Sequence, residues 1–102
     1  MDYREQINLS NTRIEFGKNG CKDVVAVLGE VKNMTNLNLK DLHFDVSFYD
    51  TQNNLTDAFD VELSPFLLPA SSVKEFKVST EKEFPSEKYS KHKIKVSWAK
   101  KL

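Results

Sequence analysis

Cysteine, glycine and proline are scarce in this chain of 102 residues, which contains one cysteine, three glycines and three prolines. A single cysteine, Cys21, excludes an internal disulfide framework and leaves the redox compartment open. The sequence also lacks any linker or low-complexity segment, and its length suits one domain. We therefore expect residues 1–102 to form a single domain.

Long hydrophobic runs and sequence motifs of catalysis are also missing. No apolar stretch approaches the length of a membrane span, and Met1–Glu5 lacks the pattern of a secretory leader. The sequence contains no P-loop, no G-x-G-x-x-G or G-x-S-x-G motif and no C-x-x-C pair. We expect a non-enzymatic domain with no catalytic residues, no cofactor, no membrane span and no signal peptide in this chain.

The net charge is zero, but the charges are unevenly spread along the chain. Residues 1–40 contain six basic and five acidic side chains, whereas residues 41–73 contain six acidic and no basic ones. Residues 74–102 contain nine basic and four acidic side chains. An acidic strand beside a basic strand would explain this distribution through weak cross-strand pairs. The alternative is a dipolar surface used for docking.

Aromatic bulk and regular alternation are what the chain does have. Eleven aromatic side chains, seven of them phenylalanine, can supply the core of a folded domain. From Leu42 to Phe48, apolar and polar residues alternate without exception. This is the pattern of a strand with one buried and one solvated face. We expect this segment, which continues to Asp50, to be central to the fold.

Other strand-like segments occur at intervals of about ten residues, separated by turns, and no window shows helical periodicity. The predicted strands are Ile7–Phe16 (two short strands or one strand with a bulge), Val24–Val31, Leu42–Asp50, Leu55–Leu63, Val73–Ser79 and His92–Ala99. This pattern indicates an all-β fold, an immunoglobulin-like antiparallel β-sandwich of six to seven strands. We expect no substantial helix, only a single turn at Ser86–Tyr89.

Individual residues refine this scheme. Ser64-Pro65 should end its strand, because proline cannot donate a hydrogen bond to a sheet. Trp98 shares the phase of the two preceding apolar residues of its strand and should face the core. Gly29 should mark a bulge or a close approach of a neighbouring strand. Ile7–Phe16 and Val73–Ser79 are the candidate sheet edges, the second because its lysines are of the kind that protect edges.

Several short elements occur in the order typical of one domain family. They are Gly29-Glu30-Val31-Lys32-Asn33, Thr35, Leu39-Lys40-Asp41-Leu42, Val46-Ser47-Phe48-Tyr49-Asp50, Leu63-Ser64-Pro65, Leu68-Pro69-Ala70 and Phe76-Lys77-Val78. Over residues 25–79 the chain resembles the FxLYD domain family, with Val46 and Phe48 in place of the Phe and Leu of the family name. A water-stress or desiccation-type sandwich domain is the second choice.

The FxLYD resemblance implies an immunoglobulin-like sandwich without catalytic activity, used as an accessory module of envelope-associated or exported proteins in bacteria and archaea. It therefore implies an extracytoplasmic location. It also implies a structural role for the motif residues that this chain shares. These are Gly29, Val31, Asn33, Phe48, Tyr49, Asp50, Pro65 and Pro69.

The expected function is that of an interaction or spacer module. Its protein partner is unknown, and the economical binding mode is addition of a strand at a sheet edge. We expect a monomer or a weak dimer. From the residues themselves, Asp50 should accept hydrogen bonds from backbone N–H groups two residues on and so close the next turn. Tyr49 should lie on the face opposite Phe48.

A metal site is the first alternative function. Asp41, His43 and Asp45 alternate along one face of the predicted central strand, and histidine with carboxylates suits zinc. Such a site would make the protein a weak metal binder or a small metal-dependent enzyme. A fourth ligand would have to come from a neighbouring strand, and the sequence shows no cysteine or second histidine in an obvious register.

Anion or nucleic-acid binding is the second alternative. The C-terminal lysines are interleaved with two aromatic residues, as binding to phosphates and bases would require. This patch consists of Lys88, Tyr89, Lys91, Lys93, Lys95, Trp98, Lys100 and Lys101. With zero net charge, a solvated lysine face is the favoured interpretation. Cys21 is expected to be a half-exposed thiol beside a turn, with a disulfide-linked dimer as the alternative.

Overall fold

The structure, a computed structural model, describes residues 6–102 and contains six antiparallel strands. Met1–Glu5, the segment expected not to be a secretory leader, lies outside the described residues. The strands are β1 (Ile7–Asn19), β2 (Lys22–Asn33), β3 (Leu39–Tyr49), β4 (Leu55–Leu68), β5 (Val73–Glu81) and β6 (Lys91–Lys101). A three-residue 3-10 turn lies at Ser86–Lys88.

The strands form two three-stranded sheets, with the order β1-β2-β5 in one and β4-β3-β6 in the other. The two sheets pack face to face, so the predicted all-β antiparallel sandwich is confirmed, with six strands. The alternating segment of the sequence is the central strand β3, as expected. β1 and β5 are both outer strands, which confirms the two predicted edges, and β4 and β6 are the other two.

The core lies between the two sheets and is built from alternate residues of the strands. On β3, Leu42, Phe44, Val46 and Phe48 are fully or almost fully buried, while the residues between them are partly exposed. The ring of Phe44 stacks on that of Phe76 in the opposite sheet, with 4.9 Å between centroids. Burying each such side chain stabilises the fold by roughly 1.5–3 kcal/mol, so the alternation read from the sequence determines which face of β3 is buried.

β1 is one strand with a bulge rather than two short strands. Its register with β2 shifts between Ser10 and Arg13, where Asn11 has a positive φ of 53°. Gly29 lies opposite this bulge. A Cβ atom at Gly29 would lie 2.9 Å from Thr12 Cγ2 and 3.0 Å from the carbonyl oxygen of Ser10. The predicted close approach at Gly29 is therefore confirmed, because the Thr12 methyl group and the Ser10 backbone of β1 leave no space for a side chain.

The prediction that Ser64-Pro65 ends its strand is wrong. β4 continues through this cis peptide to Leu68, which pairs with Leu39 of β3. β4 is an edge strand, so only one of its sides is hydrogen-bonded, and a proline there need not remove a hydrogen bond from the sheet. Pro65 therefore lies inside an edge strand and not at the start of a loop.

The prediction that Trp98 faces the core is also wrong. Along β3, the β6 partner changes from Trp98 opposite His43 to Val96 opposite Phe44, which leaves Ser97 as an extra residue in β6. This bulge reverses the alternation of the residues beyond it. Ala99 consequently packs against the core, and Trp98 lies on the outer face with 37% of its surface exposed.

None of the helices in the described residues, which begin at position 6, reaches the length and hydrophobicity of a membrane-spanning segment.

Candidate functional site

The outer face of the β4-β3-β6 sheet gathers most of the residues that the sequence marks as candidates for function. Glu62 and Asp60 of β4 lie opposite His43 and Asp45 of β3. On the other side of β3, Lys95 of β6 lies opposite Asp45. An acidic strand does lie beside a basic one, because β3, which contains Asp41 and Asp45, pairs with the lysine-rich β6, and the acidic β4 lies on the other side of β3.

Three ligand-type side chains converge on this face: His43, Asp45 and Asp60. One donor atom from each lies within 4.8 Å of the other two. The closest pair is His43 Nε2 and Asp60 Oδ2, which are 3.5 Å apart. Two of the three predicted ligands, His43 and Asp45, thus come together, and the third position is occupied by a residue of the neighbouring strand.

Asp41, the remaining predicted ligand, does not join this cluster. The register of β3 shifts between Lys40 and Leu42 on both of its sides, and Asp41 has a positive φ of 52°. Its carboxylate accepts a hydrogen bond from the backbone N–H of Phe66 at 3.2 Å. The bulge therefore interrupts the alternation on which the prediction for Asp41 was based, and its side chain is used to hold β4.

Asp60 was missed as a ligand, because its place opposite Asp45 depends on a register shift in the hairpin. Next to the turn that joins β3 and β4, Tyr49 pairs with Leu55, and counting outward from this pair would place Asp45 opposite Phe59. The register shifts between Phe48 and Tyr49, and Asp45 consequently lies opposite Asp60. The turn alone would therefore have given the wrong partner for Asp45.

His43 is held in place by its neighbour on β6. Its ring stacks on Trp98, with centroids 5.1 Å apart and planes inclined by 26°, and 22% of its side chain is exposed. The Nδ1 atom is buried without a hydrogen-bond partner. Nε2 is thus the ring nitrogen that faces the carboxylates, and the stacked ring limits the positions it can take.

Tyr49 and Asp50, the end of the family-like motif, have the local roles expected from the sequence. Asp50 Oδ1 accepts hydrogen bonds from the backbone N–H groups of Gln52 and Asn54, both at 2.9 Å. These bonds, that of Asn54 above all, lower the pKa of the Asp50 carboxyl below its usual value. Tyr49 lies on the outer face, with the ammonium of Lys93 5.4 Å from its ring centroid.

Asn33, another motif residue, is a fully buried connector. Its Nδ2 donates to the carbonyl oxygens of Leu37, Leu68 and Pro69 at 2.8, 3.1 and 3.2 Å. Its Oδ1 accepts from the backbone N–H and from the hydroxyl of Thr35. One amide side chain therefore joins the loop between β2 and β3 to the end of β4.

The C-terminal lysine patch is not the aromatic platform that the sequence suggested. Tyr89 is buried among other aromatic rings, with its centroid 5.1 Å from that of Phe48. Burial raises the pKa of the Tyr89 phenol, and its hydroxyl donates to Asp57 Oδ2. Trp98 is exposed, but it is stacked on His43, and Lys100 Nζ lies 5.4 Å from its ring centroid. Neither ring offers a free face of the kind that stacking on a base requires.

Cys21 is exposed in the turn between β1 and β2, more open than the half-exposed thiol that was predicted.

In comparisons with protein-family models, curated proteins and solved structures, no match to this chain was found.

Proposed function

We propose that this domain is a non-enzymatic interaction module that binds an extended segment of a partner protein by strand addition along β5. The single observation that carries the proposal is the regular pairing of β5. It pairs with β2 from Val73 to Glu81 without a register shift. An edge strand of this kind presents a continuous row of backbone groups, which is the template for strand addition.

The other three outer strands offer a less regular edge. β1 is bulged between Ser10 and Arg13, and β6 contains the extra residue at Ser97. β4 contains Pro65, and its pairing with β3 shifts at two places. Bulges and prolines are devices that prevent a further strand from pairing. Backbone irregularity therefore protects three of the four edges against pairing with a further strand. On β5, only the charged side chains provide such protection.

The side chains of β5 indicate what kind of segment would bind. Phe76 and Val78 point into the core, while Glu75, Lys77 and Ser79 are exposed between them. Opposite charges on directly paired residues stabilise a sheet, and like charges destabilise it. We expect the partner segment to be extended and polar, with an acidic residue opposite Lys77 and a basic residue opposite Glu75.

Hydrogen exchange followed by NMR tests whether the β5 edge is open. Alternate amides of Val73–Glu81 should exchange rapidly in the isolated domain, since only every second N–H of an outer strand bonds to its neighbour. Peptides selected for binding from an unbiased library should protect these same amides. Uniformly slow exchange along β5 before any peptide is added, or protection confined to another edge, would refute the proposal.

A charge reversal provides the matched comparison. Lys77→Glu should shift the selected peptides from acidic to basic residues at the paired position, without altering the fold. Arg13→Glu makes the same change on β1, the opposite edge of the same sheet, and should leave the selection unchanged. If both substitutions have the same effect, the preference reflects net charge and not a register on β5.

The parent protein is proposed to be envelope-associated or exported, with this domain as an accessory module. The support is the FxLYD-like order of motif residues, of which Asn33 and Asp50 make hydrogen bonds that hold a loop and a turn. Fractionation of cells that express the native gene, followed by detection with an antibody to this domain, tests the location. Recovery in the cytoplasmic fraction would contradict it.

A further inference from the structure

We infer that His43, Asp45 and Asp60 form a binding site for a transition-metal dication, of which Zn²⁺ is the best match. The three donor atoms lie within 4.8 Å of one another, and His43 Nε2 is 3.5 Å from Asp60 Oδ2. Zn–N and Zn–O bonds are about 2.0–2.2 Å long, so neighbouring donors of a tetrahedral site lie about 3.3–3.5 Å apart. The closest pair already has this separation.

The donor atoms that are still too far apart for a tetrahedral site can be brought together by a movement of the Asp60 side chain. Its side chain is 71% exposed, on an edge strand, and can change rotamer without disturbing the core. His43 is held by stacking on Trp98, and Asp45 is partly buried on the central strand. Two of the ligands are thus fixed by the sheet and the third is adjustable. Three protein ligands leave a fourth position for water or for a group of a partner protein, as in open zinc sites.

Charge supplies the second argument. Asp45 and Asp60 are directly opposite each other across β3 and β4, and like charges in this position destabilise a sheet. Within residues 6–102, Asp60 is paired with His43, and no lysine lies within ion-pair distance of Asp45. A dication between the two carboxylates would remove this repulsion. Lys95, which lies opposite Asp45 on β6, is the cationic group that opposes metal binding.

The ligand set also defines the class of metal. An imidazole nitrogen with two carboxylates suits Zn²⁺, Co²⁺, Ni²⁺ and Cu²⁺, whereas Ca²⁺ and Mg²⁺ prefer six or more oxygen ligands. We therefore expect binding of Zn²⁺ or Co²⁺ that millimolar Mg²⁺ does not displace. The site is independent of strand addition at β5, so failure of one proposal leaves the other intact.

Trp98 is a built-in reporter, because it is the one tryptophan of the chain and stacks on the proposed ligand His43. Co²⁺ is paramagnetic and should quench its fluorescence on binding, and added Zn²⁺ should restore it. Isothermal titration of Zn²⁺ should give one ion per chain with an affinity tighter than millimolar. Both measurements use the full chain in a Cys21→Ser background, which removes the exposed thiol as a competing ligand.

Two substitutions test the ligands, two serve as matched controls, and a fifth removes an opposing charge. Asp60→Asn and His43→Gln should each weaken Zn²⁺ binding at least about tenfold. Glu62→Gln removes a neighbouring carboxylate of β4 that already lies 3.5 Å from Lys100 Nζ, and should leave the affinity within about twofold. Asp41→Asn should have an equally small effect on the affinity. Lys95→Ala should strengthen binding, because it removes the opposing charge.

The proposal is overturned if the Cys21→Ser protein shows no saturable Zn²⁺ binding below millimolar concentration. It is also overturned if Asp60→Asn binds as tightly as the parent, or if Glu62→Gln weakens binding as much as Asp60→Asn does. Since Asp60 is exposed, Asp60→Asn is expected to fold normally, and thermal melts in the absence of metal verify this. That variant decides the question even if His43→Gln is destabilised.

Discussion

Asn33 shows how much a single side chain can do in this fold. Its side-chain amide is fully buried, donates to three carbonyl oxygens and accepts two hydrogen bonds. Buried polar groups that lose their partner cost about 1–3 kcal/mol each. The loop between β2 and β3 and the end of β4 therefore depend on this residue rather than on apolar contacts alone.

Asn33→Ala should lower the free energy of unfolding by about 2–4 kcal/mol, because several buried groups lose their partner at once. Urea denaturation followed by Trp98 fluorescence measures the change. Asn36→Ala alters an exposed asparagine of the same loop and should change the stability by no more than about 0.5 kcal/mol. Equal effects of the two substitutions would show that the hydrogen bonds of Asn33 are not what holds the loop.

The residues that the sequence located correctly are those whose role depends on local spacing. Asp50 caps a turn two residues away, and Gly29 is the kind of residue that a close backbone approach requires. The positions of Tyr89 and Asp60, in contrast, depend on contacts with strands that are distant in the sequence. The ring of Tyr89 packs on Phe48 of β3, and Asp60 meets His43 across a hairpin. Such contacts become predictable only when the strand register is known.

At the scale of the strand, the alternation of apolar and polar residues predicted where the strands lie. It did not predict the bulges, which change the face on which some residues lie. All six strands of the structure correspond to predicted segments. The errors at Asp41 and Trp98 both arise from a register shift in a strand, at which one extra residue reverses the faces of the residues beyond it. Period-two patterns cannot reveal such an insertion when the residues beyond it, here Trp98 and Ala99, are all compatible with either face.

Because of the bulge in β6, truncating the smaller Val96 should destabilise the fold more than truncating the larger Trp98. Val96→Ala should cost about 1–3 kcal/mol, because Val96 is buried on the inner face. Trp98→Thr removes a much larger side chain, yet should cost no more than about 1 kcal/mol, because Trp98 is on the outer face and packs mainly against His43. Urea unfolding followed by circular dichroism measures both. If Trp98→Thr is the more damaging change, β6 does not bulge at Ser97.

At the scale of the whole molecule, the two sheets are joined by the core and by polar contacts at their margins. His92 Nε2 on β6 lies 2.9 Å from Thr12 Oγ1 on β1, which connects one sheet to the other. The imidazole is partly buried, and this desolvation lowers the pKa of His92 below its usual value of 6.5. The stability of the sandwich is consequently linked to pH through a residue at the seam between the sheets.

A histidine whose pKa is lower in the folded state makes the fold more stable at high pH. Below pH 6.5 the unfolded chain takes up a proton at His92 before the folded chain does, so protons favour unfolding. The contribution is fully present above this pH and is lost as the pH falls through the folded pKa. Asp50 also contributes to stability, because its pKa in the folded protein is lowered from 3.8. This contribution is lost only in more acidic solution, so it is separate from that of His92.

We therefore expect the urea midpoint of the protein to be lower at about pH 5 than at about pH 7.5, with a smaller difference in His92→Gln. Glutamine can still reach Thr12 but does not titrate, so it separates loss of the contact from protonation. If His92→Gln loses stability with falling pH as steeply as the parent does, the seam between the sheets is not the acid-sensitive part of the molecule.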